Sequence, residues 1–88
     1  MSVTRKICMS RRGMHLVSYY AGGMCLATLY LVPAADDADP PEPRDWDIEY
    51  ETGFREPGNM RLLSAVLTVV ATDAEAWLAG GPVPIGED

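Results

Sequence analysis

Catalytic side chains are scarce in this chain: of 88 residues only His15 is a histidine and only Cys8 and Cys25 are cysteines. Nucleophilic or metal chemistry would have to pass through His15 or do without histidine. Neither Cys8 nor Ser18 stands near it within a motif that orients a dyad. Two cysteines without a second histidine fall short of a metal-ligand spacing and of the density of a disulfide scaffold. Gly22-Gly23 lacks the lysine of a phosphate loop and the third glycine of a dinucleotide fingerprint, so it reads as a turn. No catalytic residue, cofactor or metal is expected, and the chain reads as non-enzymatic.

Cations are also few. Seven Lys and Arg stand against thirteen Asp and Glu, a net charge of −6. Neutralising phosphates takes clustered Lys and Arg, so direct nucleic-acid binding is not expected. Long apolar runs are missing too: His15, Ser18, Tyr19, Tyr20, Gly22, Gly23 and Thr28 dilute residues 14–33, whereas a membrane-spanning helix needs about 20 predominantly apolar residues. A membrane partner is therefore disfavoured.

The charge that is present is sorted along the chain. Residues 1–13 carry Arg5, Lys6, Arg11 and Arg12 without an acid, 14–35 carry no formal charge, and 36–88 carry all thirteen acids. This layout also suits an exported or membrane-anchored protein. In that alternative, residues 1–34 are a twin-arginine-like leader around Arg11-Arg12, with cleavage near Val32-Pro33-Ala34. The preferred reading is a cytoplasmic domain whose neutral block is a β-hairpin. Met14–Tyr20 and Met24–Val32 are rich in Val, Leu, Tyr and Thr and flank Ala21-Gly22-Gly23, a tight-turn signal. Thr4–Ser10 precedes them as a strand, with Ser10-Arg11-Arg12-Gly13 as its turn. On the first and third strands of such a meander, Cys8 and Cys25 lie about 9–10 Å apart, beyond disulfide reach.

Residues 34–44 combine acids with Pro40, Pro41 and Pro43, which fix φ and remove donors, so an acidic proline-rich loop is expected there. Asp45–Thr52 then alternates without a fault. Trp46, Ile48 and Tyr50 share one face and Asp45, Asp47, Glu49 and Glu51 the other. An extended strand splays its carboxylates along a line and lacks the glycine of a calcium loop, so calcium is not the expected ligand. Between Asp36 and Glu51 there are eight acids and one base, a strip fitted to a protein with a basic surface. The candidate contact residues are Asp45, Asp47, Glu49 and Glu51, with Asp36, Asp37 and Asp39 from the loop. Such a module could be an inhibitor or regulator that occludes a nucleic-acid-binding surface by imitating phosphate charge. It could equally be a small subunit of a larger assembly.

Asn59 can cap a helix that runs through Leu78 and stops at Gly80-Gly81-Pro82. Arg61, Ser64, Thr68, Thr72 and Glu75 form its polar stripe, and Leu63, Val66, Leu67, Val70, Ala74, Trp77 and Leu78 its apolar face. One helix of about 20 residues and 30 Å is preferred, with a break near Thr72, where Thr72-Asp73-Ala74-Glu75 resembles a capping box, as the alternative. So wide an apolar face needs a sheet or a second subunit, so a homo-oligomer is possible, and Trp77 joins the candidate contacts. The expected fold is α+β: a small antiparallel sheet of three to four strands packed against one long C-terminal helix, with residues 1–88 as a single small domain.

Overall fold

Two tight turns set the first half of the fold. Arg12 and Gly13 take φ of 55° and 80°, and Gly22 and Gly23 take 58° and 77°. Positive φ at both central residues gives the turn type whose twist matches that of flanking strands. The computed structural model, which describes residues 2–88, accordingly begins with three hairpin-connected strands: β1 (Thr4–Arg11), β2 (Met14–Ala21) and β3 (Met24–Val32). Beyond them come β4 (Asp45–Tyr50), the helix α1 (Pro57–Leu78) and a short β5 (Gly86–Glu87). The sheet is antiparallel throughout, in the order β4-β3-β2-β1-β5. This is the expected α+β class with one strand more than foreseen. β5 was missed because its two residues carry no strand pattern; it is held by pairing with Thr4 and Arg5, and by Asp88 N–H donating to Val3 O at 2.9 Å.

The helix covers one sheet face. Val17, Tyr19 and Ala21 of β2 and Ala27, Leu29 and Leu31 of β3 are buried against Val66, Val69, Val70, Ala74 and Trp77 of α1. Each fully buried Leu or Val here contributes about 1.5–3 kcal/mol relative to exposure. Register shifts interrupt the ladders between Ile7 and Met9, and between Tyr19 and Tyr20. The first leaves Cys8 unpaired in β1 and turns its thiol toward Ser18, whose hydroxyl donates to Cys8 Sγ at 3.2 Å. Cys8 and Cys25 are both free thiols.

Four details of the expected helix are corrected. It starts at Pro57 rather than after Asn59, and its N-cap, Glu56, makes no side-chain capping bond. Proline at the first turn has no N–H to satisfy and a φ already set for helix. As preferred from the sequence, the helix is unbroken at Thr72, whose hydroxyl donates back to Thr68 O at 3.3 Å, as that of Thr68 does to Ser64 O at 3.0 Å. A hydroxyl spent on the preceding turn cannot cap a new one. Leu78, expected in the apolar face, is 50% exposed, while Asp73, expected on neither face, is only 7% exposed. The end of the helix fits expectation: Gly80 N–H donates to Trp77 O at 3.0 Å and Gly81 N–H to Ala76 O at 2.9 Å, with Gly80 at φ 90°. This paired closure needs a left-handed residue, hence glycine. Among the described residues no helix is long and apolar enough to cross a membrane.

Candidate functional site

β4 lies at the sheet edge, and its alternation falls as the sequence indicates. Trp46, Ile48 and Tyr50 pair with Leu31, Leu29 and Ala27 on the helix side, while Asp45, Asp47 and Glu49 pair with Val32, Tyr30 and Thr28 on the uncovered side. Only Ile48 packs well into the core; Trp46 and Tyr50 are 37% and 49% exposed, since the edge strand overhangs the helix. Glu51 N–H donates to Leu26 O at 3.0 Å, so by strand alternation the N–H groups of Trp46 and Ile48 face outward. They are capped by their own neighbours: Asp45 Oδ1 and Asp47 Oδ1 each accept at 2.8 Å. The free edge is thereby both hydrogen-bonded and negatively charged, which discourages uncontrolled strand addition.

Glu51 leaves this row. It follows the end of β4, and its Oε1 accepts from Gly53 N–H at 3.3 Å. Asp36, Asp37 and Asp39 sit on a loop that is less open than a linker, because Ala35 and Glu42 exchange backbone bonds of 2.9 and 3.0 Å and close its base. All three are exposed. Among the described residues the ion pairs are Arg5 with Asp73 and Arg5 with Asp88, so these strip and loop carboxylates have no cationic partner among those residues. Their field reaches Tyr30, whose pKa is raised first by hydrogen bonding to Glu49.

Trp77 is placed differently from the expected contact patch. It is 4% exposed, and its indole N–H donates to both Val32 O (3.2 Å) and Asp45 O (3.0 Å). The Arg44 guanidinium stacks 3.8 Å from the ring centroid, and Arg44 Nη1 donates to Trp77 O at 3.1 Å and Gly81 O at 2.7 Å. Arg44, the one base among eight acids, is thus the cation at the carbonyl end of α1, where positive charge is favoured. His15 meets Trp77 edge-on at 6.1 Å and lies 2.6 Å, through Nδ1, from Ser10 Oγ. These contacts join the helix end to the start of β4, and Trp77 belongs to the core.

The sequence did not reveal a second polar cluster. Arg5 Nε and Nη2 grip Asp73 at 2.7 and 3.0 Å, and Tyr19 Oη donates to Asp73 Oδ2 at 2.7 Å, joining β1 and β2 to the helix. The available signal was Asp73 at helical spacing from Val66, Val70 and Trp77, an acid inside an apolar face. Burial, then hydrogen bonding to Asp73, pushes the Tyr19 hydroxyl well above its usual pKa of 10. The neutral form is therefore favoured by folding. Stability from this source is complete below about pH 10 and falls above it, by up to about 1.4 kcal/mol per pH unit, as the unfolded tyrosine ionises first. Urea unfolding across roughly pH 9–11 (about one unit either side of that value) should show this decline, and Tyr19→Phe should flatten it. A residual slope from Tyr30, shifted in the same direction, is expected. An unchanged slope in Tyr19→Phe would refute the assignment.

Comparison of the chain with protein-family models, with curated proteins and with solved structures finds no match.

Proposed function

We propose that the chain is a non-enzymatic protein-binding module, and that the uncovered sheet face along β4 receives a basic protein surface. The observation that supports this most directly is the row Asp45, Asp47 and Glu49 on one side of an edge strand, with no cation among the described residues paired to it. Like charges held about 6.5–7 Å apart along a strand repel one another modestly in water, and an opposing cationic surface removes that cost. The exposed loop acids Asp36, Asp37 and Asp39 extend the field and would speed encounter with such a partner.

Asp45→Asn, Asp47→Asn and Glu49→Gln combined provide the test. The amides keep an oxygen for the edge N–H groups while removing three charges, so the fold should be retained. Capture of a basic partner by the native chain should weaken as salt shortens the screening length from about 10 Å at 0.1 M to 3 Å at 1 M, and the triple variant should lose it. Equal capture by both chains would refute the proposal.

A further inference from the structure

The geometry points to a second copy of this chain as the basic partner: two sheets stacked through their uncovered faces, related by a two-fold axis running along the strands. This rests on the reading of the β4 carboxylates as contacts for a cationic protein surface, and adds that the chain itself carries that surface. On the uncovered face the registers form rows across the sheet. One row reads Lys6, Ser18, Thr28, Glu49, and the next Met9, Leu16, Tyr30, Asp47. A third runs from Arg11 paired with Met14 to Val32 paired with Asp45. The β1 side is cationic, the β4 side acidic and the middle mostly apolar. Met9, Met14 and Val32 are 49%, 39% and 37% exposed, and Leu16 and Tyr30 are half-buried. Lys6 and Arg11 make no ion pair within the described chain.

Charge selects the axis. Rotation by a half-turn about a line parallel to the strands lays β1 over β4 of the partner subunit and keeps each row at its own level. Lys6 then faces Glu49 of the partner subunit, and Arg11 faces Asp45 of the partner subunit. The apolar middle rows meet each other, with Leu16 over Tyr30 of the partner subunit. A half-turn about a line across the strands would instead place acid on acid. Stacked sheets lie about 10 Å apart, a gap that paired Lys and Glu or Arg and Asp side chains span at the rim. The ends agree as well. Gly13 abuts Pro33, where an added Cβ would come within 3.2 Å of the ring, so the Arg11-Arg12 turn and the acidic loop occupy the same end of the sheet. The same rotation brings that loop over the arginine turn of the partner subunit.

Sedimentation of the full chain should show a dimer that loosens as salt rises. Lys6→Glu alone and Glu49→Lys alone should each weaken self-association roughly tenfold. Both sites are exposed, and an unchanged thermal midpoint will show that the fold is intact. An equimolar mixture of the two variants should recover the dimer, because each heterodimer again sets opposite charges against each other at both contacts. A dimer indifferent to both substitutions, or a mixture that fails to recover, would overturn the inference. A monomeric chain whose capture of another basic protein is abolished by neutralising Asp45, Asp47 and Glu49 would also overturn it, while leaving the functional reading standing.

Discussion

Asp73→Ala is expected to destabilise the fold by about 3–5 kcal/mol, the range for removing one partner of a buried ion pair. For an 88-residue chain whose whole stability is of the order of 4–13 kcal/mol, this approaches unfolding. Arg5 is the reason. Its side chain is 11% exposed and spends two nitrogens on Asp73, keeping only a longer contact to Asp88 at 3.3 Å. Without Asp73, a guanidinium stays between sheet and helix with a carboxylate at the chain end as its remaining counter-charge, and the buried Tyr19 hydroxyl loses its acceptor. Urea unfolding of the single variants and of Arg5→Leu with Asp73→Leu gives the comparison. The double variant should lose much less than the sum of Arg5→Leu and Asp73→Leu alone, since apolar replacement of both partners removes the desolvation cost with the attraction. A loss below about 1 kcal/mol in Asp73→Ala would show that the pair is effectively solvated.

That cluster marks where local sequence reasoning stops. The hairpins were legible because Gly22-Gly23 and Arg12-Gly13 punctuate runs of strand-forming residues, and turn chemistry is local. β4 was legible because alternation over Asp45–Tyr50 requires no partner to be known. The helix was legible in its body but not its start, where Pro57 did what a capping side chain would otherwise do. Arg5 and Asp73, 68 positions apart, meet only once register and helix phase are both fixed, and no periodicity encodes that meeting. Arg44 is a similar case: in a run of acids it reads as the odd residue, and only the folded chain places it at the carbonyl end of α1. The candidate site divides in the same way. Alternation placed Asp45, Asp47 and Glu49 on one face, whereas the basic β1 side opposite them emerged from strand order, which spacing along the chain does not contain.

Trp77→Ala should also be severe, about 3–5 kcal/mol for truncating a buried aromatic. Trp77 does three things at once: it fills the core beneath β3, its N–H satisfies the carbonyls of Val32 and Asp45, and its ring carries Arg44. Trp77→Phe separates these roles. Phenylalanine retains most of the buried ring and a face for the guanidinium but no N–H, so its cost should be smaller, about 1–2 kcal/mol for the lost hydrogen bonding. A surface hot spot would behave oppositely, with binding lost and the melting temperature unmoved in Trp77→Ala. The site of loosening is predictable as well. Arg44 closes the acidic loop onto the helix end through Trp77 O and Gly81 O, so without the ring beneath it that attachment should fray first. Amide exchange should then quicken at Ala35 and Glu42, whose N–H groups close the loop, before it quickens in β2 and β3. Loop and helix end would thus prove to be one cooperative unit, with the acids of the loop held at the sheet end by the single cation among them.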